Sequence, residues 1–207
     1  MLDRVTTTAA ALALMAGAVL AAEDTITLGM VLEPPNLDPT AGAAAAIDEV
    51  VYANIFEGLT RFGPDGSVRP ALAASWDVDA EGRIFTFHLH DGVTFHDGTA
   101  MDAEDVKFSL DRARAEDSTN AQKALFAGID TVEVTDSLTV TVTLKAPDGN
   151  FPFNMAWGDA VIVAPESIAT AATSPVGTGP FRFESWTQGD RIEITRNDAY
   201  WGEPAAL

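Results

Sequence analysis

Residues 84–98 read Ile-Phe-Thr-Phe-His-Leu-His-Asp-Gly-Val-Thr-Phe-His-Asp-Gly. Phe85, Phe87 and Leu89 alternate with Thr86, His88 and His90, the two-residue period of a strand buried on one face. The Asp-Gly pairs at 91–92 and 97–98 then break the run with turns. Just beyond, Asp102 with Asp105 three residues on predicts a capped helix from Ala103 to about Ala113. Its apolar stripe is Val106, Leu110 and Ala113, and acids in its first turn with Arg112 and Arg114 in its last suit the helix dipole. A half-buried strand followed by an amphipathic helix indicates a mixed α/β (α+β) class.

Working outward, Thr131–Val134 and Leu138–Leu144 form a β-branched hairpin split by Asp136-Ser137 and ended by Pro147. Phe181–Trp186 and Arg191–Arg196 form a last strand pair around Gln188-Gly189-Asp190. Towards the N-terminus, Pro64-Asp65-Gly66-Ser67 is a turn between Leu59–Phe62 and Val68–Arg69. Ala43–Glu57 has helical spacing, with Ile47, Val51 and Ile55 on one stripe and Gly58 as its stop. Thr25–Val31 reads as a strand that Glu33-Pro34-Pro35 terminates. Residues Met1–Ala22 read as a cleaved signal peptide: Arg4 lies before an apolar run from Ala9 to Leu20, too short for the ~20 residues of a bilayer span.

The 207 residues carry 31 acidic and 12 basic side chains, a formal net charge of −19. Nucleic acid is excluded as a partner, since phosphate backbones need clustered Lys and Arg. With 47% hydrophobic and 21% charged residues the chain has material for a core, and with no cysteine it has no disulfide, thiolate metal site or cysteine nucleophile.

Catalytic machinery is not visible. His88 and His90 share a strand face at a spacing that suits one metal ion, but no third ligand is specified, and exposed strand positions account for them better. Any of 31 acids could form an acid–base pair, which carries no signal without geometry. Gly177-Thr178-Gly179-Pro180 lacks the Lys of a phosphate loop, and Pro180 removes a backbone donor, so a tight structural crossing is expected. Among the tryptophans, Trp157 stands in a non-periodic aromatic stretch, Phe151–Gly158, that suits a cleft wall.

Several blocks together resemble the family 5 extracellular solute-binding proteins of ABC importers, the dipeptide, oligopeptide, nickel and opine type. They include Glu33-Pro34-Pro35-Asn36-Leu37-Asp38-Pro39, Ile55-Phe56-Glu57-Gly58-Leu59, Ala71–Trp76, Phe85–Leu89, Asp91–Gly98 and Ala103–Leu110. Pro175-Val176-Gly177-Thr178-Gly179-Pro180-Phe181 and Asn197-Asp198-Ala199-Tyr200-Trp201-Gly202 complete the family's order. His90 departs from the family's usual Arg or Lys. The resemblance implies a two-lobed periplasmic binding protein fold, of which this chain is the N-terminal part, truncated, with the second lobe absent. Residues 23–44 would start lobe I, 45–174 form its inserted subdomain and 175–207 return to it.

It further implies an exported, periplasmic, monomeric receptor without catalysis, metal or cofactor, which takes a peptide or small molecule to permease subunits by closing two lobes on it. Glu33, Pro34, Trp157 and Thr178 are the expected ligand-facing residues. The alternative is a secreted hydrolase built on a carboxylate pair or a histidine metal site. Neither composition nor motifs choose among peptide, nickel chelate, opine and sugar.

Overall fold

The alternation at Ile84 is realised as a central strand, and the rest of the sheet is laid against it. The computed structural model describes residues 25–206; the signal-peptide reading of Met1–Ala22 lies outside them. In chain order the elements are α1 (Ala45–Val51), β1 (Thr60–Phe62), β2 (Val68–Pro70), β3 (Ala73–Val78), β4 (Ile84–Leu89) and α2 (Ala103–Arg114). They continue with β5 (Ile129–Asp136), β6 (Thr139–Leu144), α3 (Phe151–Asn154), β7 (Phe181–Thr187) and β8 (Arg191–Arg196). An antiparallel sheet runs β3-β4-β6-β5, and β1–β2 and β7–β8 are separate hairpins.

Phe85, Phe87 and Leu89 of β4 are buried together with Val140, Val142 and Leu144 of β6, because the register sets Phe85 opposite Val142 and Phe87 opposite Val140. Alternate residues of paired strands thus share one apolar face, which is what a sheet needs to bury a core on one side. Helix α2 covers it with Val106, Leu110 and Ala113. Its start is capped as expected: Asp102 accepts from the Glu104 amide at 2.8 Å, and Asp105 accepts from the Asp102 amide at 3.0 Å. On its other flank Ser109 Oγ accepts from the Val163 amide at 2.9 Å, and Arg112 pairs with Asp38 at 3.5 Å, which ties the Leu37–Pro39 loop to the helix.

A second core gathers the beginning and end of the described chain. Leu37, Ile47, Val51, Ile55, Val161 and Val163 are buried in it, and Phe183, Trp186, Ile192 and Ile194 of the last hairpin pack against it half-buried.

Two expectations need correction. The helix predicted over Ala43–Glu57 stops at Val51; Tyr52 is extended and Ala53 has a left-handed φ of 58°. The helix ends at this left-handed residue, and beyond it the carbonyls of Asn54 and Ile55 accept from the amides of Phe181 and Gly179, both at 2.9 Å. Ile55 is still fully buried, so its apolar position was read correctly although the element was not. The strand predicted over Thr25–Val31 is likewise not paired among the described residues, and Ile26, Leu28 and Val31 are 60%, 76% and 95% exposed. β-propensity does not make a strand without a partner edge.

The segment Gly177–Pro180 is a crossing of two backbones. A Cβ on Gly177 would lie 2.0 Å from the Ile55 carbonyl oxygen, and one on Gly179 2.3 Å from that of Asn54. His96 clamps the crossing from the other side: its Nε2–H donates to the Gly179 carbonyl at 2.9 Å, its Nδ1 accepts from the Gly177 amide at 3.3 Å, and its own amide donates to the Gly177 carbonyl. With both ring nitrogens so used the imidazole is neutral, and burial holds its pKa below the usual histidine value.

Two outcomes are expected. Gly177→Ala forces backbone against backbone and lowers stability by about 1–3 kcal/mol or more in urea denaturation, whereas Gly128→Ala, with nothing within 4 Å, changes it little. Because the pKa of His96 is depressed in the fold, its contribution is complete above the ordinary value of 6.5 and is lost as pH falls below it. The stability difference between wild type and His96→Gln therefore shrinks from pH 7 downwards, and a pH-independent difference would contradict the neutral clamp.

Candidate ligand-binding face

Glu57, just after α1, is a buried carboxylate with no ion-pair partner among the described residues, and it is satisfied by neutral donors instead. It accepts from Thr178 Oγ1 at 2.9 Å, Tyr200 OH at 2.7 Å and Trp201 Nε1 at 2.9 Å. Burial pushes its pKa up while the three donors pull it back, and the phenol of Tyr200 is pushed up by its own burial and by the charge of Glu57. Trp201 in turn lies against the His90 imidazole, with centroids 4.7 Å apart. This cluster joins the Asn197–Gly202 segment to α1 and β4, and its polar atoms are spent within the fold.

A more open face is built along residues 151–162. Tyr52 OH donates to the Ala156 carbonyl at 2.5 Å, Thr60 Oγ1 to the Pro152 carbonyl at 2.6 Å, and the Ile162 amide to the Glu57 carbonyl at 2.9 Å. These bonds stitch α1 and β1 to residues 151–162, where Pro152 opens the four-residue helix α3. The result is an aromatic ledge: the ring centroids of Phe62 and Phe153 are 4.9 Å apart, of Phe62 and Trp157 6.0 Å, and of Phe153 and Trp157 6.3 Å, all edge to face. Phe153 and Trp157 are each 40% exposed and are among the few large hydrophobic side chains of the described residues that face solvent.

Two further carboxylates, Asp48 and Asp159, belong to this region. Asp48 of α1 lies against Gly158, where a Cβ would come within 2.6 Å of its carboxyl. Asp159 follows directly, is only 7% exposed, and its backbone carbonyl is held by Asn120 Nδ2 at 2.8 Å. Burial and then the charge of Asp48 push the pKa of Asp159 up to about 6, and burial pushes Asp48 up as well. Neither takes part in any ion pair among the described residues.

The residues singled out in the sequence fall in three places. Glu33 Oε1 accepts from Trp186 Nε1 at 3.0 Å and the Gly189 amide at 2.8 Å, which fixes its loop to the β7–β8 hairpin, with Pro34 buried next to it. Trp157 stands on the ledge. Thr178 is fully buried and turned towards Glu57. The three histidines do not converge: His88 meets Asp77 at 2.9 Å, His90 meets Trp201, and His96 sits in the crossing. Among the described residues no group of three or more His, Asp or Glu could hold a metal ion. A depression of about 150 Å³ lined by His96, Ser174, Val176 and Phe183 includes neither Asp48 nor Asp159. Sequence reasoning missed Asp48, Asp159 and Phe62; the only cue was that Asp159 follows Trp157-Gly158.

A family model described as bacterial extracellular solute-binding proteins, family 5, middle, matches residues 67–207. The glutathione-binding protein GsiB of Pectobacterium atrosepticum is 37% identical over 91% of this chain, which covers 37% of that protein. In structure the chain is similar to AgaA of A. tumefaciens R10, solved with agropinic acid: TM-score 0.77 and 33% identity, over 83% of this chain and 35% of that one. NikZ of Campylobacter jejuni, solved with Ni(L-His), gives 0.75 and 27%, over 84% and 35%. The chain therefore spans a little over a third of the length of the relatives it matches.

The carboxylate pair has a measurable cost. Because the pKa of Asp159 is raised from 3.8 to about 6 in the fold, the folded state holds the proton more tightly than the unfolded chain. That contribution is complete below pH 3.8 and is lost as pH rises through about 6. Asp159→Asn, neutral throughout, is expected to be more stable than wild type at pH 7 by roughly 1–3 kcal/mol. The gain should vanish near pH 4 in paired denaturation curves; equal stability at pH 7 would show that the pair carries no strain.

Proposed function

The chain belongs to the bacterial extracellular solute-binding proteins of family 5, and from that membership we propose that it is the ligand-capturing receptor of an ABC importer. It would be exported to the periplasm and deliver a small peptide-like solute, of which glutathione is the leading candidate, to membrane permease subunits. Likeness to GsiB across 91% of the chain supports the ligand class, and the relatives' named role is binding, which disfavours the hydrolase alternative.

One observation from the fold carries the reading: exposed rings at Phe153 and Trp157 lie close in the chain to Asp159, which, like Asp48, has no ion-pair partner among the described residues. Such features are poor choices for stability and good ones for gripping an amphipathic solute, since a ring offers large contact area and a dry acid offers charge recognition. In this proposal residues 23–44, 45–174 and 175–207 are the start, the inserted subdomain and the return of one lobe. Trp157 would form a wall of the cleft, and Glu33 and Pro34 its rim. Thr178 would act from within, through Glu57.

The test is a thermal-shift and tryptophan-fluorescence titration of the purified protein with glutathione, Ala-Ala and Ni(L-His). A ligand at about 100 times its Kd adds about 2.7 kcal/mol, a rise in Tm of roughly 5–10 °C. Glutathione is expected to give that rise and to shift the emission, and Trp157→Ala to weaken it at least tenfold while leaving the unliganded Tm nearly unchanged. No rise and no emission change with any of the three solutes would overturn the proposal.

A further inference from the structure

Of the bonds that hold the Gly177–Pro180 crossing, one depends on an unprotonated ring nitrogen. His96 is 8% exposed and reaches the crossing from the turns that follow β4, so it ties the sheet to the segment that leads into β7. Its two ring bonds respond differently to a proton. The bond from Nε2–H to the Gly179 carbonyl needs a donor, which an imidazolium still has. The bond from the Gly177 amide to Nδ1 needs a lone pair, which an imidazolium lacks. Protonation would therefore set one N–H against another. The Gly179 carbonyl has a second donor in Asn197 Nδ2 at 3.2 Å, whereas the Gly177 amide makes no other bond among the described residues.

A charged ring also has somewhere to go. The depression of about 150 Å³ beside it is lined by His96, Asp97, Ser174, Val176, Arg182 and Phe183. We propose that His96 is an acid-sensitive latch: neutral, it fastens the crossing, and protonated, it turns from Gly177 into this depression while Gly177–Phe181 opens locally and the sheet stays folded. Opening separates the amides of Gly179 and Phe181 from the carbonyls of Ile55 and Asn54, and Thr178 from Glu57. The joint between the sheet's core and the second core then becomes a hinge, whatever solute the chain carries.

The charges around the ring suit such a latch. Burial and then the guanidinium of Arg182 on β7 oppose its protonation, while Asp97 in its own turn and the bond to Gly179 favour it. Asp97 Oδ1 is held by the Thr99 amide and hydroxyl at 3.0 and 2.7 Å, and burial of Asp97 is slight enough that these bonds keep its pKa low, so it stays charged as the ring titrates. On the Asn197 segment Arg196 and Asp198 pair with each other at 2.9 Å. Glu57 meets the crossing through Thr178. Because the fold depresses the pKa of His96, the latch is fully fastened above the ordinary value of 6.5 and loosens as pH falls below it.

The test is NMR of the intact chain. At pH 7.5 the ring ¹⁵N shifts should show the tautomer protonated on Nε2; a proton on Nδ1 would overturn the latch. Amide hydrogen-exchange protection factors, which remove the intrinsic effect of pH on exchange, are then compared at pH 7.5 and pH 5. The protection of Gly177 is expected to fall by about fivefold or more, with Gly179 and Phe181 following, while that of Leu89, bonded to Leu138 within the sheet, holds. His88→Gln, which removes a surface histidine paired with Asp77, should leave that fall intact, and His96→Gln should abolish it, since it removes the titration whichever bonds it makes. Equal protection of Gly177 at the two pH values, a fall shared equally by Leu89, or a fall that persists in His96→Gln would each sink the proposal. The comparison of Gly177 with Leu89 needs wild type alone, so it decides the matter even if His96→Gln does not fold.

Discussion

Two stretches of backbone, Asn54–Ile55 and Gly177–Phe181, approach until nothing larger than a hydrogen fits between them, and much of the structure is arranged around that contact. It holds the carbonyls of Asn54 and Ile55 just past the left-handed turn at Ala53 that ends α1. It places Thr178 beneath Glu57, so that a buried acid can be met by a hydroxyl, a phenol and an indole from the far end of the chain. It also engages a neutral imidazole at position 96, which donates to the carbonyl of Gly179 and accepts from the amide of Gly177.

The contrast between Glu57 and the pair Asp48–Asp159 separates structure from function on physical grounds. Glu57 and Asp159 are buried and Asp48 is half-buried. Glu57 is surrounded by donors and so contributes to holding the fold together, as buried polar groups ordinarily do. Asp48 and Asp159 have no such donors among the described residues, and burial pushes the pKa of each up. Conflicts of this kind between local energetics and a stable fold are where binding sites are to be sought.

The sheet and α2 were legible in the sequence because their signals are local: the two-residue period of Phe85–Leu89, the β-branched alternation of Thr139–Leu144, and Asp102 with Asp105 three residues on. What escaped was set by distant partners. The turn at Ala53 that ends α1 is followed by carbonyls bonded to amides at 179 and 181, and the Thr25–Val31 segment finds no pairing strand among the described residues. For the candidate face, an aromatic stretch drew attention to Trp157, but nothing within a window of sequence distinguishes Asp48 and Asp159 from the other acids. Their meaning arises only when α1 is brought against Gly158.

The Glu57 cluster joins residues separated by 121, 143 and 144 positions. Such contacts close large loops and reward the chain only once both ends are present, which slows folding relative to a structure built from near neighbours. Glu57 must therefore wait as a charged, hydrated side chain until synthesis has passed Trp201, and the second core remains open for as long. A segment tied across so many residues stays pliable until its last tie is made.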